Sequence, residues 1–353
     1  MTDESNEERA FVTFDALCAP GLFSKSTRLW GHRKLWLLRN NEALWPYADA
    51  WSAVCTLAVL GGHTEVDALL RGFLQGLRAY HRGHRSDLAG TDPIGFESVP
   101  PFPHGPGGDV FYDDNTWLGL AICHHHVLTG SDKAAGLSRR LLDFVLTGWS
   151  TNTAWSNPGG IRWKVPASNS SRNTCSNAPV AELAALVGMR DGDETKLDWA
   201  KRIYEWVHES LGSSGGLYLD QIAADGTVLP DIWSYNQGTM IGAGVLLHRA
   251  TRKADYLTRA RRTARAALQY FSLDRLVGQG AAFNAVFFRN LLLLDGVSPD
   301  RAYRALAQEY GDRMWIERRD PLTGLFIGGK SFLNDTAPMV QIYALLSGSA
   351  PHP

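Results

Sequence analysis

The stretch YNQGTMIGAGVLLHRATRKADYLTRARRTARAALQYF, from Tyr235 to Phe271, decides the fold. Its first half, Tyr235 to Ala250, is apolar nearly all round. In its second half Tyr256, Leu257, Ala260, Ala264, Ala267, Leu268 and Phe271 keep one stripe at helical spacing, while Arg259, Arg261, Arg262 and Arg265 point elsewhere. A helix that is apolar on every side has to be enclosed, and a striped one faces water on its other side. The stretch therefore reads as an inner helix followed by an outer one.

The same alternation runs along the chain. Enclosed segments are expected at Trp45–Leu60, Asp113–Thr129, Ser176–Met189, Tyr235–Ala250, Ala282–Leu294 and Thr336–Leu346. Striped segments lie between them: Val66 to Tyr80, Leu137 to Leu146, Leu197 to Leu211, Tyr256 to Phe271 and Ala302 to Tyr310. Glu7 to Leu17 supplies a further outer helix, packing on the last inner one. Strand signals are scarce. The pattern predicts one all-α toroid of two concentric layers; a solenoid would show a sharper repeat and would not enclose half its helices. The expectation is a single domain over residues 1–353, with residues 1–8 and 348–353 as flexible tails.

Composition agrees with a packed globular chain. Of 353 residues, 44% are hydrophobic and 20% charged, and 35 Lys plus Arg balance 36 Asp plus Glu. A net charge of -1 without a basic run argues against nucleic-acid or anionic-membrane partners, because both need a positive field. Cys18, Cys55, Cys123 and Cys175 form no C-x-x-C pair and read as free buried thiols. The polar start MTDESNEERA resembles no signal peptide and no apolar run is long enough to span a bilayer, so a cytoplasmic protein without a membrane partner is expected.

Long segments rich in Gly, Pro, Trp and Asn lead into the inner helices, at His81 to Tyr112, Trp149 to Cys175, Gly212 to Ser234 and Glu317 to Asp335. Each of the first three ends in a polar cluster: FYDDN at Phe111 to Asn115, RNTCSNAP at Arg172 to Pro179, and WSYNQG at Trp233 to Gly238. Capping needs one polar residue per helix start. Three or four ahead of an apolar helix body predict a shared pocket where the starts converge. Asp113 and Asp114 stand out within it, since adjacent carboxylates repel and raise one pKa, preparing a proton donor beside an ionised partner. The other reading of the pair is two acids favoured by the helix dipole.

The twelve tryptophans favour a carbohydrate ligand, because a flat ring covers the C–H face of a sugar while Asn, Gln and Asp bond its hydroxyls. Trp155, Trp163 and Trp233 are placed in the loops at the mouth; Trp36, Trp51, Trp199, Trp206 and Trp315 are assigned to packing. The candidate site is then Asp113 and Asp114 as catalytic groups, with Tyr112, Asn115, Trp117, Trp163, Asn173, Asn177, Tyr235, Asn236 and Gln237 as sugar contacts. No metal or other cofactor is expected. His124, His125 and His126 are consecutive, so they point in different directions around a helix, and His81 and His84 lack the carboxylates of a metal site. The run DGDET at Asp191 to Thr195 lacks the spacing of a calcium loop and reads as a turn before a capped helix. Gly159 and Gly160 have no G-K-[ST] after them and make no phosphate loop.

With FYDDN, GGIRWK, NTCSNAP and SYNQG in this order along one toroid, the chain resembles the glycoside hydrolase family 76 α-1,6-mannanases, from about Trp45 to Leu346. Asp113–Asp114, the glycine pair with Trp163, and Tyr235 to Gly238 are jointly specific, and any one alone is weak. The resemblance implies an (α/α)6 barrel and retaining hydrolysis of α-1,6-mannosidic bonds in mannan or manno-oligosaccharides, with Asp113 as nucleophile and Asp114 as general acid/base. Trp117 is followed by Leu118 where the family often has a second Trp, and Arg162 stands where an aromatic is common. Two other functions suit the same toroid: a sugar epimerase or isomerase, which would need histidines at inner-helix starts, and a noncatalytic glycan-binding protein, which would not need both aspartates.

Overall fold

The computed structural model describes residues 4–35, 38–83, 87, 90–165, 169–329 and 331–348; Trp36 and His84 lie outside them. In chain order the helices are α1 (Asn6–Leu17), α2 (Leu44–Ala58), α3 (Thr64–Gly76), α4 (Tyr112–Thr129), α5 (Asp132–Leu146), α6 (Thr174–Asp191) and α7 (Glu194–Leu211), then α8 (Ser234–Thr251), α9 (Ala254–Tyr270), the short α10 (Leu273–Val277), α11 (Ala281–Asp295), α12 (Arg301–Glu317) and α13 (Phe332–Ser347). Helices α2, α4, α6, α8, α11 and α13 form a closed ring, each packing on the next and α13 returning to α2. Around it lie α3, α5, α7, α9 and α12, each against the inner helix before it, while α1 packs on α13. This is the (α/α)6 barrel.

The layers follow from burial. In α6 every residue from Thr174 to Gly188 is buried, whereas in α9 only the stripe of Tyr256, Leu257, Ala260, Thr263, Ala264 and Ala267 is. An inner helix touches two inner neighbours and an outer one, so little of its surface meets water. Helix α1 begins at Asn6, where Ser5 and Glu8 form a reciprocal cap, so residues 5–8 are ordered and not part of a tail.

Connections from inner to outer helices are tight. Gly130 and Gly192 close α4 and α6 at φ 65° and 64°, and Asp193 then caps α7 by accepting from the backbone N–H groups of Thr195 and Lys196. The DGDET run is therefore the turn and cap expected of it. The return connections are long and carry the small sheets that the sequence did not announce. One is an antiparallel meander of Phe23–Ser24, Leu29–Leu35 and Leu38–Asn41; the other pairs Arg172–Asn173 with Gln221–Ile222 and that with Val228–Leu229. The second ties the start of α6 to the loop before α8, so two walls of the mouth are joined by backbone hydrogen bonds.

Candidate active site

The long loops are anchored by a device repeated at the inner-helix starts. Three residues after the first residue of α4, α6 and α8 stand Asn115, Asn177 and Gln237, all buried. The Asn115 amide accepts from the Phe96 N–H at 2.7 Å and donates to the Phe96 carbonyl at 3.0 Å. Asn177 does the same to Ile161 at 2.6 and 2.9 Å, and Gln237 to Tyr218 at 2.8 and 2.9 Å. Each also donates to the carbonyl four residues back, on Phe111, Asn173 and Trp233. A long loop folded under the barrel rim carries buried peptide groups that need partners. These three amides supply them: the side chains expected from sequence to meet sugar are engaged here with the backbone of the loops. Tyr112 is likewise buried, packed on Phe144, and Trp117 lies beneath Tyr235 with ring centroids 6.4 Å apart. Asn173 bonds Ser171 and Gln221 at the join of the two loops.

The loop from Gly148 to Lys164 has a second anchor. Arg172, fully buried, donates to the carbonyls of Ser156, Asn157, Gly159 and Ala223 and lies between the rings of Trp155 and Trp206. Trp155 is thus a lid on this guanidinium, not a free platform. Gly159 and Gly160 adopt φ of 102° and 77°, and a Cβ on Gly160 would stand 2.5 Å from the Trp206 ring. Only glycine fits there.

What these anchors hold in place is Trp163, whose indole N–H donates to Asp113 Oδ2 at 3.0 Å. The same oxygen receives the Cys175 thiol at 3.6 Å, and Asp113 Oδ1 accepts the Asp114 backbone N–H at 3.0 Å. Burial raises the Asp113 carboxyl to about 6, while Trp163, the Asp114 N–H and Cys175 pull it down. Among the described residues no donor reaches the Asp114 carboxyl. Its affinity for a proton is raised well above the usual carboxylate range, first by burial and then by the negative charges of Asp113 and Asp49. The two acids are adjacent in sequence and electrostatically unequal.

Contacts run round the mouth from helix to helix. Cys175 on α6 lies beside the Tyr235 hydroxyl on α8; the Tyr235 ring stacks on Phe283 of α11 at 4.0 Å; Phe283 stacks on Trp45 of α2 at 5.7 Å and meets Trp233 edge-on at 5.8 Å. Trp45 lies beside Asp49, which faces Asp114 on α4. Trp163 is 36% exposed at this rim. Asn236 is buried, with neither amide atom saturated, and lies beside Asp220. Of the nine residues expected from sequence to meet sugar, Trp163 and Tyr235 keep partial exposure, and Asn236 keeps amide atoms without a hydrogen-bond partner.

Sequence reasoning missed Asp49, Asp220, Trp45 and Phe283. It also missed the barrel floor, where Arg289 of α11 pairs with Glu182 of α6 at 3.3 Å, Asn290 donates to Glu182 at 2.9 Å, and Arg289 faces Asp49 and His124. A signal was present: Asp49, Glu182 and Arg289 are isolated charges in otherwise apolar stretches, which is expensive unless they meet. The three consecutive histidines diverge as expected. His125 accepts the Trp51 indole N–H at 3.2 Å, His126 bonds the Ser131 carbonyl, and His124 is held neutral by burial and Arg289. His81 pairs with Asp87 at 3.2 Å, a carboxylate not foreseen for it. Among the described residues no three His, Cys, Asp or Glu side chains are grouped to hold a metal ion, the four cysteines are free, and no helix is long and apolar enough to cross a membrane.

A toroid with a paired-carboxylate cleft lined by aromatics is the frame of a carbohydrate-active protein. Residues 98–304 match glycosyl hydrolase family 76, and the chain belongs to that family. It is 31% identical over 134 residues to mannan endo-1,6-alpha-mannosidase DCW1 of Saccharomyces cerevisiae, covering 35% of this chain and 29% of that protein. It is 23% identical over 241 residues to a putative mannan endo-1,6-alpha-mannosidase of Schizosaccharomyces pombe, covering 63% of this chain and 49% of the other. The chain therefore matches less than half the length of either relative. Among solved structures, a family 76 mannosidase of Bacteroides thetaiotaomicron superposes with a TM-score of 0.81 at 20% identity, covering 97% of this chain and 98% of that one. An inactive variant of the α-1,6-mannanase of Salegentibacter sp. HEL1_6, with two neighbouring aspartates replaced by alanine and α-1,6-mannotetrose bound, superposes at 0.76 with 22% identity, covering 98% and 99%. At these identities the structural matches speak for the fold.

Proposed function

We propose that this chain is one catalytic domain that hydrolyses α-1,6-mannosidic linkages in mannan or manno-oligosaccharides with retention of configuration. The observation that carries the division of roles is the unequal setting of the two aspartates. Asp113 accepts hydrogen bonds from Trp163, Cys175 and the Asp114 N–H and is ionised at neutral pH. Asp114, with no donor and two acids facing it, keeps its proton. In the first step an Asp113 oxygen bonds to the anomeric carbon as the bond to the departing oxygen breaks, and the Asp114 proton moves to that oxygen. In the second, Asp114, now ionised, takes a proton from water as the water oxygen bonds to the anomeric carbon and Asp113 is released. Trp163 both holds the nucleophile and offers a ring face at the rim, so the loop anchors act on catalysis through it.

The likeness to mannan endo-1,6-alpha-mannosidases and the mannotetrose bound by the Salegentibacter protein support this substrate class for the present chain. The pH dependence of kcat/KM should be a bell. Its rising limb lies at about 6, where Asp113 loses its proton, and its falling limb lies where Asp114 does. Asp113→Ala should abolish turnover for every leaving group, whereas Asp114→Ala should spare glycosylation by an activated aryl mannoside, with azide restoring the second step. Equal losses on activated and natural substrates for both variants, or an inverted product anomer from the wild type, would refute the assignment.

A further inference from the structure

We propose that the thiol of Cys175, backed by the hydroxyl of Tyr235, is a positioning group that fixes the carboxylate of Asp113 for attack on the anomeric carbon. The inference rests on Asp113 being the nucleophile. A carboxylate on a short side chain has a broad terminal torsion, so its oxygens must be aimed by their partners. The Asp114 backbone N–H holds Oδ1 at 3.0 Å. Oδ2 is held by two groups from different walls of the cleft, the Trp163 indole at 3.0 Å and the Cys175 thiol at 3.6 Å. Trp163 sits on a loop at the rim. Cys175 is the second residue of α6, only 5% exposed, and its preceding residue Thr174 is tied by its N–H to the Asp220 carbonyl at 2.8 Å and by its hydroxyl to the Leu219 carbonyl at 2.6 Å. The thiol is thus the rigid member of the pair.

Its chemistry suits the task. A thiol is a weak, neutral donor. A cation in that place would pull the Asp113 carboxyl far down and weaken it as a nucleophile, whereas a thiol directs it without adding charge. The Tyr235 hydroxyl lies beside the sulfur, and the S–H is the donor to Asp113 Oδ2. Burial, and then the charges of Asp113 and Asp220, push the Cys175 thiol well above its ordinary value, so it keeps its hydrogen over the working range. The titratable groups facing this contact are Asp114 on α4, Tyr235 on α8 and Asp220 on the loop before α8, with Asp49 of α2 facing Asp114.

The test is steady-state kinetics on an α-1,6-linked manno-oligosaccharide across pH, for Cys175→Ala, Cys175→Ser, Tyr235→Phe and the Cys175→Ala/Tyr235→Phe double variant, each checked for fold by circular dichroism. Cys175→Ala should lower kcat by about three- to tenfold, the scale of one weak donor, with KM nearly unchanged. The rising limb of kcat/KM should move to higher pH, because the ionised form of Asp113 has lost a donor. Cys175→Ser should recover most of the loss. Tyr235→Phe should shift the same limb in the wild-type background and leave it unmoved once Cys175 is alanine. If Cys175→Ala does not fold, Tyr235→Phe alone must still move the limb. A folded Cys175→Ala enzyme with the wild-type limb and kcat, or fully additive shifts in the double variant, would overturn the proposal. Full activity in Asp113→Ala would instead overturn the nucleophile assignment, so the two failures are distinguishable.

Discussion

Replacing Asn177 by alanine separates a loop anchor from a sugar contact. The Asn177 amide meets the N–H and the carbonyl of Ile161, a residue with no solvent exposure, at 2.6 and 2.9 Å. Its third bond, to the Asn173 carbonyl, matters less because helical backbone can serve that oxygen. The substitution therefore strands two buried peptide groups, each costing about 1–3 kcal/mol. Partial relaxation of the loop brings the expected loss to about 3 kcal/mol. Unfolding entropy of about 2.1 cal/mol/K per residue over this chain gives about 0.7 kcal/mol/K, so Tm should fall by about 4 °C. The assays are a calorimetric or fluorescence melt and amide hydrogen exchange over residues 159–163, alongside KM for a manno-oligosaccharide. An anchor loses Tm and protection in that loop, and kcat declines as Trp163 loosens. An unchanged Tm with a tenfold rise in KM would mean that the amide faces the sugar, and the reasoning would be wrong.

Other outcomes follow from the same geometry. Gly160→Ala should cost at least about 1–2 kcal/mol from its left-handed φ of 77° alone, and more from the 2.5 Å approach to Trp206, read as a lower midpoint in urea; a neutral result would show that the loop has room to shift. On the barrel floor one guanidinium, Arg289, faces two acids, Asp49 and Glu182, and burial raises both carboxyls to about 8. The folded protein thus holds on both acids protons that the unfolded chain releases above about 4. More protons bound in the native state mean that stability falls as pH rises from about 4 to 8. Glu182→Gln removes one acid and should flatten that fall in Tm, and an unaltered slope would show that Glu182 is ionised throughout. Arg172→Met should lower Tm, because it strands the carbonyls of Ser156, Asn157, Gly159 and Ala223; a melt at the wild-type temperature would refute the anchor role.

The barrel was legible in the sequence because a layer imposes its solvent contact on every residue of a helix. Stretches such as Ser176 to Met189 can only be enclosed, and the arginine-studded Tyr256 to Phe271 can only be outside. The adjacent aspartates were also legible, since the chain itself sets their spacing. What sequence alone did not resolve was the allegiance of the polar residues at the helix starts. Asn115, Asn177 and Gln237 look in sequence like ligands for sugar hydroxyls. They bond Phe96, Ile161 and Tyr218 instead, residues 16 to 19 positions earlier that only the tertiary fold brings back. Asp49, Glu182 and Arg289 were visible one by one as lone charges, yet their meeting depends on the ring closing through α2, α6 and α11. Hydrophobic periodicity is a local property, fixed by which face of a helix meets water. A polar side chain's partner is chosen by whichever buried donor or acceptor lies within about 3 Å, and in this protein that partner comes from a different element, so the packed structure decided which residues were left free for the substrate.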